Sequence, residues 1–182
     1  MLALTVIAAA SCLAAEAPPR DFQAVAVELG GTLVQRPATS SGGWRAANAS
    51  MVGASVGHRW TAVDAFLRAE LDHWSDARED GSRDHVLTLN LGPGVGFSYA
   101  GDRVRSSLAG GLSLLLVPTD IDRAGSAGLF LDLRPVTLRW PLGARTWIGV
   151  SPLSLALVIP VLTGIPLVEV EYRTSVQAER AF

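Results

Sequence analysis

The 182-residue chain contains no lysine; all 15 of its basic residues are arginine. The arginines are scattered without a basic run, and 17 acidic residues leave a net charge of −2. That distribution gives no electrostatic footprint for nucleic acid. The missing lysine reads as the mark of a GC-rich genome, not of a function. Cysteine is nearly absent too: Cys12 stands alone. If it is lost with an N-terminal signal, the mature chain has no disulfide, thiolate ligand or thiol nucleophile. No run of about 18 uncharged apolar residues follows the N-terminal segment, which excludes a helical membrane protein. Yet 49% of the residues are hydrophobic, only 18% are charged, and mean hydropathy is +0.31. The apolar residues are dispersed through short alternating runs, as in a β-rich protein with a greasy core or a greasy surface.

The start, LALTVIAAASCLAAEA, has an apolar stretch followed by small residues, as a secretory signal does. No basic residue precedes it. The division expected is a cleaved signal over residues 1–17 and one barrel domain over 18–182, long enough for a core of its own. Ala9-Ala10-Ser11-Cys12 also allows a lipoprotein reading in which Cys12 is acylated, although the usual leucine three positions earlier is missing.

Two-residue alternation, the signature of a strand with two unlike faces, recurs along the rest of the chain. The runs are FQAVAVELGGTLV, MVGASVGHRW, FLRAELDHW, HVLTLNLGPGVGFSYA, RVRSSLAGGLSLLLV, GLFLDLRPVTLRW, RTWIGVSPLSLALV and LVEVEYRTSVQAERAF. Only FLRAELDHW invites a helix. There Arg68, Glu70 and Asp72 share one parity, whereas a helix would spread them around its circumference. Gly92-Pro93-Gly94, Pro135 and Pro152 each interrupt a run, where a bulge is expected. Connections after the first, third and fifth runs are long and polar; those after the second, fourth and sixth are short. An up-and-down meander would gather the long loops at one end and the turns at the other.

Alternation alone does not say which face is the interior, since a soluble barrel buries the apolar face and a membrane barrel exposes it. Three features favour the second. The polar parity is mostly Gly, Ala, Ser and Thr, with a few charges of both signs: Glu28, Arg68, Glu70, Asp72, Asp132, Arg134, Glu169, Glu171 and Arg173. A narrow lumen has room for small residues and mutually neutralising charges, whereas a solvent face carries many long charged side chains. The apolar parity is Leu and Val with little Phe. Trp60, Tyr99, Trp140 and Trp147 gather at the short-turn end and Trp44 and Trp74 at the long-loop end, as interfacial aromatic belts would.

The pattern resembles the small eight-stranded bacterial outer-membrane β-barrels, the OmpA/OmpX-like class. The likeness rests on the signal-like start, the eight alternating runs, the long-then-short connections and Phe182. It implies an all-β, up-and-down antiparallel eight-stranded transmembrane barrel in the cell outer membrane. Its partners would be the lipid bilayer and the outer-membrane insertion machinery, and its state a monomer. An aromatic residue ending the last strand resembles the signal that machinery reads, but here alternation is expected to stop near Gln177. Loops near 35–50, 75–84 and 118–126 would face outside the cell.

Chemistry is sparse. His58, His73 and His85 fit no zinc spacing, and no His-x-Ser cluster is present. Asp76, Glu79, Asp80 and Asp84 follow no EF-hand spacing and read as a solvated loop. Neither GPGVG nor GLSLLLV is a phosphate loop. No catalytic, cofactor or metal residue is assigned. The alternative from a different class is a soluble or lipid-anchored periplasmic barrel holding a lipophilic ligand. It requires Leu129, Leu131, Leu153 and Leu155 to point inward.

Overall fold

A computed structural model describes residues 20–35, 44–77, 83–117, 125–162 and 167–182. Residues 1–17, where a signal is expected, with Cys12, and the loop residues Glu79 and Asp80 lie outside these residues. Eight strands follow one another in chain order: β1 (Arg20–Gln35), β2 (Arg45–Trp60), β3 (Val63–Ala77), β4 (Arg83–Tyr99), β5 (Val104–Leu115), β6 (Ala127–Pro141), β7 (Thr146–Val161) and β8 (Leu167–Ala181). Each pairs antiparallel with the next, and β8 pairs back with β1 to close the barrel. Closure gives every strand two neighbours and leaves no edge. FLRAELDHW lies within β3 and is strand, not helix.

Three connections at one end are tight: residues 61–62, 100–103 and 142–145. Thr61, Ala100, Gly101 and Asp102 all take positive φ there, the conformation a two- or three-residue hairpin demands. The other end carries the longer connections. Two loop assignments need trimming, because Arg45 to Ser50 already belong to β2 and β3 runs on to Ala77.

The prolines act in two ways. At Pro135 and Pro152 the strand register shifts, as expected for bulges. Each shift exchanges the faces, so Arg134 and Arg139 both turn inward although they differ in parity. Gly92-Pro93-Gly94 makes no bulge. Its ladder to β5 passes over Gly92 and Pro93 with unchanged register, Leu91 opposite Leu112 and Gly94 opposite Ala109. Proline removes a donor without displacing the strand, and glycine serves close approach instead. A Cβ on Gly111 would meet the Gly92 Cα at 2.7 Å.

The apolar parity faces outward. Val25 is 60% exposed, Leu29 66% and Leu67 62%. Leu129, Leu131 and Leu155 are 51%, 48% and 43% exposed, and Leu153 is half-buried, so the apolar-lumen alternative fails. Among the described residues the interior holds six buried arginines and eight buried carboxylates.

Candidate functional site

The lumen is the site, and its side chains form tiers. Every residue of the charged parity named from the sequence is buried: Glu28, Arg68, Glu70, Asp72, Asp132, Arg134, Glu169, Glu171 and Arg173. The middle tier centres on Arg134 of β6. Its Nη2 lies 2.5 Å from Glu28 Oε1 and 3.1 Å from Glu70 Oε1, and its Nε donates to Asp132 Oδ2 at 3.0 Å. Arg68 of β3 pairs with Asp132 and with Glu70, the latter at 3.2 Å. Ser154 donates to Asp132 Oδ1 at 3.3 Å and to Glu28 Oε2 at 3.4 Å.

A second tier, toward the tight turns, was not read from the sequence. Arg59 donates Nη1 and Nη2 to the two carboxylate oxygens of Glu179 at 3.0 and 3.2 Å, and Nε to Asp64 at 3.1 Å. Arg139 donates to the same Glu179 at 2.5 Å and to Asp102 at 2.6 Å; Arg105 donates to Asp64 at 2.6 Å. Parity held the signal for three of these. Asp64 continues the series Arg68, Glu70, Asp72; Arg59 continues Gly53, Ser55, Gly57; Glu179 continues the odd positions of β8. Alternation therefore does not stop at Gln177: it runs through Glu179 to Ala181. Arg139 was hidden by the bulge at Pro135.

Aromatic rings separate the tiers. Arg59 and Arg105 sit over the Phe22 ring at 4.9 and 5.4 Å, and Arg105 and Arg68 over Phe66 at 5.1 and 5.2 Å. These cation–π contacts gain strength from desolvation. Trp147 is no outward belt residue, because it stacks beneath Arg20 at 4.4 Å at the lumen rim. In the adjoining turn, burial opposes ionisation of Asp102. Arg139, Arg59 and Arg20 outweigh that burial and hold its carboxyl below the usual range.

The third tier lies toward the long loops. Asp72, Glu169 and Glu171 place one oxygen each within 4.8 Å of the others. Arg173 Nε lies 2.9 Å from Glu171 Oε2. Trp74, also expected in the outer belt, points inward and donates its indole N–H to Glu169 at 2.8 Å. It belongs to an apolar lid over this tier with Val34, Val86, Leu115, Val161 and Leu167. Trp60, Tyr99, Trp140 and Trp44 are outward and exposed.

The histidines lie apart from this lumen chemistry. His58 Nδ1 is 2.7 Å from Asp21 Oδ1, and His73 stacks on His85 with ring nitrogens 3.2 Å apart.

No family model and no curated protein matches the chain. Among solved structures it is similar to neisserial surface protein A, at 12% identity and a TM-score of 0.55, over 86% of this chain and 95% of that one. The fold is that of a small outer-membrane barrel. A second similar structure is Ail, the attachment invasion locus protein of Yersinia pestis, solved with the heparin analogue sucrose octasulfate. It matches at 8% identity and a TM-score of 0.49, over 87% of this chain and 99% of that one.

Proposed function

We propose that the chain spans a bacterial outer membrane as a monomeric, non-catalytic barrel with a plugged lumen, presenting its long loops for interaction outside the cell. One observation carries the reading: the barrel is inside out relative to a water-soluble protein. Leucine and valine cover the outer wall while arginine and carboxylate fill the interior. Water would leave that wall as an exposed apolar surface far larger than soluble monomers tolerate; a bilayer turns it into the stabilising contact. Outward Trp60, Tyr99 and Trp140 near the tight turns, with Trp44 at the other end, suit the two interfaces. The tiers of paired charge and the apolar lid fill the lumen in place of a diffusion path. Lipid and the insertion machinery of that membrane are the partners implied.

Fractionation and a detergent gel test the reading. The protein should stay with the outer-membrane fraction through salt and carbonate washes. Unboiled, it should migrate apart from its boiled form, because the closed barrel resists detergent. Release by salt with identical migration, boiled and unboiled, would overturn it.

A further inference from the structure

We propose that Asp72, Glu169 and Glu171 hold a divalent cation, calcium, inside the lumen beneath the apolar lid. The three come from two strands that do not pair with each other, β3 and β8, and converge with one oxygen each within 4.8 Å of the others. Calcium–oxygen distances are about 2.3–2.6 Å, so one ion can touch oxygens separated by up to about 5 Å. Carboxylates this close repel one another unless a positive charge lies among them.

Arg173 supplies one such charge, yet it is shared with Glu28 at 3.6 Å and Glu70 at 4.0 Å. The buried carboxylates exceed the buried arginines by two among the described residues, eight against six. The other two tiers interleave both signs, whereas the buried side chains of this one are three carboxylates and one guanidinium. A divalent ion removes that excess.

Neutral oxygens point to the same place. Thr88 stands directly opposite Asp72 in the β3–β4 ladder, and Asn90, the next inward residue on β4, stands opposite Glu70 toward the middle tier. Thr88 is 1% exposed and Asn90 fully buried, yet among the described residues neither the Thr88 hydroxyl nor the Asn90 amide has a hydrogen-bond partner. Buried polar atoms are nearly always satisfied, so a buried hydroxyl without a partner directly across the ladder from Asp72 marks a ligand position. All the available donors are oxygen, the set for a hard cation. Calcium accepts irregular shells of six to eight oxygens, which suits ligands fixed on rigid strands better than magnesium's near-ideal octahedron. Trp74 and its apolar neighbours cover the site, so the ion enters as the barrel closes and leaves slowly afterward.

The proposal rests on the lumen and not on the membrane; a chain failing the detergent-gel test can still pass this one. The full chain is unfolded in urea with a chelator, refolded in detergent with calcium or with chelator, desalted and assayed for metal by mass spectrometry. Calcium-refolded protein should retain about one ion per chain through a chelator wash. With free calcium at about one hundred times the dissociation constant, its folded-to-unfolded ratio should rise about a hundredfold. Asp72→Asn with Glu171→Gln should retain none and unfold at the same urea concentration in calcium and chelator. Thr88→Val keeps every carboxylate and should bind more weakly, a readout that stands even if the double variant does not fold. Wild-type protein that retains no calcium and unfolds identically with and without it overturns the proposal. So does a barrel stabilised only by acid, which would show protons neutralising the carboxylates.

Discussion

Arg59 and Glu179, 120 residues apart in sequence, meet in the lumen through two parallel hydrogen bonds of 3.0 and 3.2 Å. The fork geometry of guanidinium on carboxylate is the strongest form of such a pair. Glu179 also takes Arg139 at 2.5 Å, so one carboxylate neutralises two buried cations. Glu179→Ala should therefore cost more than a surface ion pair, about 3–5 kcal/mol, because it strands charge where water does not reach. Urea unfolding of the detergent-folded barrel measures it. Arg180→Ala, at the exposed next residue, should leave the midpoint nearly unchanged.

Leu131 lies on the outer wall of β6, half exposed and between Asp132 and Phe130, which both face inward. Leu131→Arg should destabilise the barrel in phospholipid vesicles by about 2–4 kcal/mol if the position sits near the bilayer midplane. In a water-soluble barrel the same change would be almost neutral. Comparing folding midpoints of the two proteins in vesicles separates the cases.

Trp74→Phe keeps an aromatic ring in the lid but removes the donor to Glu169. A hydrogen bond to a charged group contributes about 1.5–3 kcal/mol, so the unfolding midpoint should fall accordingly. The same variant removes a buried indole. The remaining tryptophan emission should then shift to longer wavelength, because Trp60, Trp140 and Trp44 are outward and Trp147 is only half-buried at the rim.

Asp102 sets an acid limit at the tight turns. Its carboxyl is held below the ordinary value of 3.8, chiefly by Arg139, Arg59 and Arg20 acting against its burial. A carboxylate whose folded-state value is depressed contributes stability in full above its unfolded value. That contribution is lost as pH falls through the lower folded value. Stability measured from about pH 5 down to about pH 2 should fall less steeply in Asp102→Asn than in wild type.

The strands, their order and the outward face of leucine and valine were legible because period-two alternation reports two unlike environments directly. Legibility failed where the period did. Arg139 could not be placed by parity, because the bulge at Pro135 exchanges the faces between Arg134 and Thr137. Trp74 and Trp147 misled for a different reason. Position along a strand tells how deep a tryptophan lies but not which wall it takes, and both share the inward parity of their neighbours. Partnership was invisible altogether. That Glu179 serves Arg59 and Arg139, or that Asp72 meets Glu171, depends on closure between strands distant in the chain.

The β1–β8 seam also dictates an order of events. β8 threads the whole lumen: Glu179 lies near the turns, Glu169 and Glu171 beneath the lid, and Arg173 pairs with Glu171 while reaching Glu28 and Glu70 of the middle tier. Seven strands alone would leave Arg59, Arg105 and Arg139 without Glu179, on a sheet with two open edges. Intermediate states gain little by drying their interior, so water should leave the lumen in one step as the eighth strand docks. The barrel's commitment to its final form is thus postponed until the last segment arrives, and an unfinished chain remains wet, open and easy to degrade.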